Sequence, residues 1–206
     1  MRNNNIEIIL ASGSPRRREI IKNMGYELQV IPSNVDEDTD ETRPDKLVEE
    51  LSSRKCLDIA EKVINKKIHP SIDNDKRYIV IGADTVVALG DKILGKPADH
   101  DIAVEMISDL QGKAHQVYTG VTIAIMSNDL TSIEKKETFS ERTDVYVAEM
   151  ETDEILDYVD SKEPFDKAGG YGIQGKFGKF IKKIDGDYYN VVGLPSAELY
   201  VRLKKI

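Results

Sequence analysis

Apolar residues along the chain fall into short runs that stop abruptly in polar, chemistry-bearing residues. Ile6, Ile8, Ile9 and Leu10 read as a buried strand that gives way at once to Ala11-Ser-Gly-Ser-Pro-Arg-Arg-Arg18. Pro15 stands where its fixed φ and missing N–H suit the first turn of a helix. Glu19, Ile20, Ile21 and Met24 continue that helix amphipathically to a C-cap at Gly25, and Tyr26 to Ile31 alternates as a strand. After a carboxylate-rich loop over 33–45, the spacing of Leu47, Val48, Leu51, Ile59 and Val63 predicts one long helix over 45–65, opened by Pro44. Asn65 to Lys76 has turn-former composition.

A second buried strand, Tyr78 to Gly82, also ends in chemistry, at Ala83-Asp84-Thr85. Val86–Leu89 and Lys92–Leu94 flank a Gly90-Asp91 hairpin turn. A helix runs from Asp99 through Leu110, and long antiparallel strands are expected over Gln116–Met126 and Ile133–Val147. Thr152 to Val159 reads as a helix capped by Thr152. Phe177 to Ile184 alternates as a strand, Asp185-Gly-Asp187 turns, and Val191 to Ile206 ends mainly in helix. The pattern predicts one α/β domain over 1–206, with two lobes and no internal repeat.

The first junction gathers anion-binding chemistry. Free backbone N–H groups, the hydroxyls of Ser12 and Ser14 and the guanidinium groups of Arg16 and Arg17 converge just past a strand end, which suits phosphate. A helix-capping Ser14 and a solvated arginine face are the plain alternative, and Arg18 is expected at the surface. Asp84, at the end of an apolar run, must either cap something or work as a base or metal ligand, because an unpaired buried carboxylate is costly. Lys55 interrupts the long helix's apolar stripe: such a lysine ordinarily snorkels to solvent, and its functional alternative is to reach a ligand in the cleft. A carboxylate of the 33–45 loop, if folded back over the arginines, could hold a divalent cation beside phosphates. The segment Glu163-Pro-Phe-Asp-Lys-Ala-Gly-Gly-Tyr-Gly-Ile-Gln-Gly-Lys176 carries four glycines, which permit close approach to a ligand. Gly170 to Lys176 matches the start of a P-loop by spacing, but Phe177 stands where Ser or Thr is required, no strand precedes it and no clear helix follows, so that motif is rejected.

Composition narrows the partners. With 206 residues, 40% hydrophobic and 32% charged, the chain can bury a substantial core, and no apolar run approaches the ~20 residues of a membrane helix. A net charge of −8 argues against a nucleic-acid binder while leaving room for a local anion site. The polar start Met1-Arg-Asn-Asn-Asn5 leads straight into a strand and does not read as a secretory signal. The single cysteine, Cys56, reads as packing and fits a reducing cytoplasm. His69, His100 and His115 show no metal-ligand spacing.

Six blocks, in order, carry a resemblance: Ala11-Ser-Gly-Ser-Pro-Arg-Arg17, Gly82-Ala-Asp-Thr85, Gly95-Lys-Pro97, His115-Gln-Val-Tyr-Thr-Gly120, Asp166-Lys-Ala-Gly169 and Tyr189-Asn-Val-Val-Gly-Leu-Pro195. Together they resemble the Maf family of nucleoside triphosphate pyrophosphatases from about residue 6 to residue 203, with the 65–76 loop as a local elaboration. The resemblance implies a long twisted mixed sheet flanked by helices, of the inosine-triphosphatase-like kind, with a cleft between two lobes. It implies hydrolysis of a nucleoside triphosphate to the monophosphate and pyrophosphate with Mg²⁺ or Mn²⁺, and a homodimer is compatible with it. The Gln174 segment is similar to the branch acting on dTTP and UTP. By the same resemblance Asp84 is the proton acceptor, Arg16, Thr85 and Gln174 bear on substrate choice, and Ser12, Ser14, Arg17, Glu37, Lys55 and Lys96 line the cleft, with Glu37 and Asp84 toward the metal. The carboxamide of Gln174 could match O4 and N3–H of uracil or thymine, whereas cytosine presents the reverse pattern. The family's description as septum-formation proteins supplies the alternative, a nucleotide-binding regulator with little turnover.

Overall fold

A computed structural model describes residues 5–71, 73 and 75–206; Ile72 and Asn74 of the expected surface loop and Met1 to Asn4 lie outside the described residues. The chain order is β1 (Ile6–Leu10), α1 (Pro15–Asn23), β2 (Glu27–Val30), α2 (Pro44–Ile64), β3 (Arg77–Leu89), β4 (Lys92–Leu94), α3 (His100–Leu110), β5 (Ala114–Met126), β6 (Ile133–Val147), α4 (Thr152–Asp160), β7 (Ile181–Asp185), α5 (Tyr188–Val192) and α6 (Ser196–Leu203). The strands form one mixed sheet in the order β2-β1-β3-β5-β6-β7, with β4 on β3. β1 pairs in parallel with β2 and β3, and every pairing from β3 to β7 is antiparallel. No helix among the described residues is long and apolar enough to cross a membrane.

The two faces of the sheet are covered differently. On one, α2 packs Cys56, Ile59, Ala60 and Val63 against Ile9, Val80 and Ala124. On the other, α1 and α6 bury Ile20, Ile21, Leu199 and Leu203 against Ile8, Leu10, Ile81 and Val121, while α3 and α4 pack around Val87, Val117, Val145 and Phe177. Cys56 is a packing residue as expected; its thiol meets the Val80 carbonyl at 3.3 Å, and burial pushes its pKa up to about 12.

Three sequence expectations change. β3 does not end at Gly82 but runs on to Leu89, so Asp84 is mid-strand, paired with Gly120 of β5. What ends is its neighbour: β1 covers the edge of β3 only as far as Ile81, and β4 resumes at Val87. The stretch Gly82–Val86 therefore has an edge that no strand pairs among the described residues, and the polar residues that interrupt the apolar run sit on it. Residues 176–180 form a 3₁₀ turn rather than the start of a strand, because Phe177 and Phe180 both turn into the core, and β7 begins only at Ile181. α4 is capped by Glu151, which shares a capping box with Glu154, instead of by Thr152.

Glycines let α2 lie unusually close to the sheet beside that open edge. A Cβ on Gly82 would stand 2.2 Å from the Ser52 carbonyl oxygen, and one on Gly120 2.1 Å from that of Val48. The Ser52 and Thr122 hydroxyls, 3.0 Å apart, satisfy each other at the same contact. Because Gly120 faces Asp84 across the ladder, this approach brings Lys55 of α2 onto Asp84. Gly120→Ala is expected to lever the helix away and cost about 1–3 kcal/mol of stability by overpacking. Chemical denaturation checks this, and an unchanged unfolding midpoint would contradict the close approach.

Candidate active site

A cleft of about 1020 Å³ opens where the edge of β3 is bare, lined by residues from the β1–α1 loop, α2, β3 and the glycine-rich segment. Its first wall follows from the sequence at the end of β1. Ser14 has extended backbone, and its hydroxyl accepts the N–H of Arg17, so Pro15 starts α1 and the hydroxyls of Ser12 and Ser14 stay beside the cleft.

Arg17 bridges this wall to the bare strand edge. Its Nε donates to the Gly193 carbonyl at 2.8 Å, Nη1 to the Ala83 carbonyl at 2.9 Å and to Ser12 Oγ at 3.0 Å, and Nη2 to Thr85 Oγ1 at 3.0 Å. Burial lowers the guanidinium's pKa from the ordinary arginine value and Asp84 raises it again. Arg17, expected among the phosphate ligands, thus makes four hydrogen bonds to protein groups, and it ties three separate chain segments together. Thr85 is held in the same network, 2.9 Å from the hydroxyl of Thr119. Arg16 lines the cleft and makes no side-chain hydrogen bond or ion pair among the described residues; Lys96 and Gln174 stand the same way. Arg18 is exposed, as expected.

The cleft also holds a compact charge cluster. Lys55 Nζ meets Asp84 Oδ1 at 2.6 Å and Glu37 Oε1 at 2.7 Å, with the lysine and Asp84 side chains only 12% and 11% exposed. Lys55 therefore does not snorkel to solvent. Glu37 reaches it because Arg54, the preceding residue of α2, binds the loop on both sides of Glu37, donating to the carbonyls of Asp38 at 2.7 Å and Asp36 at 3.4 Å. Arg54 and Thr119 were not foreseen from the sequence: both support a cleft residue through contacts that are remote along the chain. Glu163, Lys167 and Tyr171 also line the cleft. They stand in the glycine-rich stretch that drew notice in the sequence, but nothing in its spacing marked them individually.

The pattern of Maf-like proteins matches residues 7–206. The chain belongs to the Maf family. It is 46% identical to a dTTP/UTP pyrophosphatase of Lachnoclostridium phytofermentans over 97% of this chain and 94% of that one. It is 45% identical to a dTTP/UTP pyrophosphatase of Bacillus cereus over 97% and 95%, and 43% identical to one of Thermoanaerobacter pseudethanolicus over 97% and 96%. Among solved structures, the Staphylococcus aureus Ham1 protein overlaps it with a TM-score of 0.44 at 15% identity, over 97% of this chain and 98% of that one.

Behind the cleft of this Maf chain lies a buried polar pair. His115 is fully buried, its Nε2 is 2.7 Å from the hydroxyl of Tyr171, and its Nδ1 has no hydrogen-bond partner. Burial drives the imidazole pKa from 6.5 down to about 4, against a weaker upward pull from Asp144. The unfolded chain thus takes up this proton near the ordinary value and the folded chain does so only well below it. Stability is fully present above that ordinary value and falls as pH drops toward the folded value, by up to about 3 kcal/mol. Denaturation curves from about pH 7 to about pH 5, above most carboxylate titration, check this. The wild type is expected to lose more stability than His115→Gln, and equal losses would contradict a neutral buried imidazole.

Proposed function

We propose that this chain hydrolyses dTTP and UTP to the nucleoside monophosphate and pyrophosphate. The observation that carries the reading is a carboxylate, Asp84, at the bare strand edge of a cleft whose lining also carries Arg16, Lys55 and Lys96. Arg16 and Lys96 have no competing protein partner, and Lys55 is held on Asp84 itself. The names of close, nearly full-length relatives support the choice of dTTP and UTP.

A triphosphate brings about four negative charges, and cations on the cleft walls offset them more strongly there than in bulk water. Arg16 and Lys96 bind the phosphates, while Arg17 keeps the wall rigid through Thr85, Ala83 and Gly193. Ser12 and Ser14 add hydroxyls on the same wall. Lys55 occupies Asp84 Oδ1, which leaves Oδ2 to accept a proton from a water attacking the α-phosphorus. The new P–O bond forms as the bond to the bridging oxygen breaks, and pyrophosphate departs with its charge balanced by Arg16 and Lys96. Gln174 reads the base by donating to O4 and accepting from N3–H.

The residues present suit a divalent cation of the Mg²⁺ or Mn²⁺ kind. Glu37 and Asp84 already converge on one cation, the ammonium of Lys55, and no third His, Cys, Asp or Glu joins them among the described residues. Two carboxylates completed by water and substrate phosphates match the modest protein contribution such ions need. When bound there, the ion would neutralise phosphate charge and lower the pKa of water.

Pyrophosphate release from dTTP, UTP, dCTP and GTP with Mg²⁺ or Mn²⁺ tests the reading. Turnover is expected for dTTP and UTP, and nucleotide binding without release would instead support a regulator. Asp84→Asn is expected to lower kcat by about 10²–10⁴-fold with the fold retained; near-normal turnover would remove Asp84 from the chemistry.

A further inference from the structure

Gln174 is exposed and has no side-chain partner among the described residues, so where it points depends on the backbone that carries it. That backbone is fastened on both sides. Just before it, Tyr171 is buried and bonded to His115; its ring stands edge-on to the imidazole at 5.2 Å and packs on Phe177 at 4.8 Å. Just after it, the Lys176 N–H donates to Glu163 Oε2 at 2.9 Å. The same carboxylate fills the space beside Gly175, where a Cβ would fall 2.0 Å from Glu163 Oε1. Upstream, the Gly169 N–H donates to the Gly95 carbonyl at 2.9 Å, tying the segment to the residue before Lys96.

Neither His115 nor Glu163 has a part in the hydrolysis described above. An imidazole buried with Nδ1 unpaired is an expensive way to fill core space, since an unmade buried hydrogen bond costs stability. Phenylalanine or leucine would fill it without that penalty. The polar group at 115 is explained by what it holds, the hydroxyl of Tyr171. Glycine at 175 is likewise explained by the carboxylate it must admit.

We propose that His115 and Glu163 are positioning residues that set base selectivity by bracketing Gln174, the first through Tyr171 and the second through Lys176 N–H. The inference rests on the reading of Gln174 as the residue that meets the base. A carboxamide discriminates between uracil and cytosine edges only while it is held at hydrogen-bonding distance and angle to the base, and a loosened segment relaxes that placement.

The test compares kcat/KM for dTTP with that for dCTP in Tyr171→Phe, Glu163→Ala and Glu163→Gln, alone and combined with Gln174→Ala. Tyr171→Phe keeps the ring packing and removes only the hydroxyl, and Glu163→Gln keeps an acceptor oxygen for Lys176 N–H. Tyr171→Phe and Glu163→Ala are each expected to lower the dTTP-to-dCTP ratio about tenfold. Glu163→Gln should retain most of the ratio, and neither change should lower it further once Gln174 is alanine. A wild-type ratio in both Tyr171→Phe and Glu163→Ala overturns the inference, as does a further loss of equal size on the Gln174→Ala background. An unchanged ratio in Gln174→Ala alone overturns the base-reading role of Gln174 and this inference with it, while leaving dTTP hydrolysis itself standing.

Discussion

The site depends on a gap in a strand ladder. β1 stops pairing with β3 at Ile81 and β4 starts at Val87, which leaves the edge of Gly82–Val86 without a strand neighbour. Unpaired backbone polar groups are tolerated only where something else satisfies them. Here Arg17 supplies a donor to the Ala83 carbonyl and extends the same guanidinium to Thr85, Ser12 and Gly193. The gap therefore does two things: it opens a cleft with access to the middle of the sheet, and it recruits the arginine that stiffens the cleft's wall.

On the other face, close packing does the corresponding work. Gly82 and Gly120 remove the side chains that would hold α2 off the sheet, so the helix backbone lies directly on two strands. Lys55 then meets Asp84 where both are mostly shielded from water, and Arg54 brings the Glu37 loop to the same ammonium. Two carboxylates around one ammonium carry a net negative charge, and removing Lys55 leaves the mostly buried Asp84 carboxylate without its cation at a cost of about 3–5 kcal/mol. An overall charge of −8 is compatible with anion binding, because the cations are gathered on the cleft walls.

Much of this was legible in the sequence where a local rule applied. Pro15 after Ser14 announced α1, Gly90-Asp91 announced the β3–β4 turn, and the apolar spacing of 45–65 announced α2 almost to its ends. The polar break at Ala83-Asp84-Thr85 has the signature of a strand end, because apolar runs usually stop where strands do. Its true cause is the absence of neighbours along one edge, a property of the sheet that no single segment contains. Lys55 offers the same lesson: its place in an apolar stripe suggested snorkelling, and only the glycine-mediated approach of α2 puts Asp84 within reach. A guanidinium beside hydroxyls suits phosphate, which marks Arg17 in the sequence, whereas its partners at Ala83, Thr85 and Gly193 are distant along the chain and legible only in the fold. Glu163 and His115 act through contacts that appear only once the glycine-rich segment is folded.

A crystal structure with Mn²⁺ and a dTTP analogue whose α–β bridging oxygen is replaced by a methylene group would show where the substrate lies. The α-phosphorus is expected beside Asp84 at the bare edge of β3, the β- and γ-phosphates on Arg16 and Lys96, and the thymine edge on the Gln174 carboxamide. A triphosphate bound with its α-phosphorus out of reach of Asp84, or outside the cleft, would contradict this arrangement.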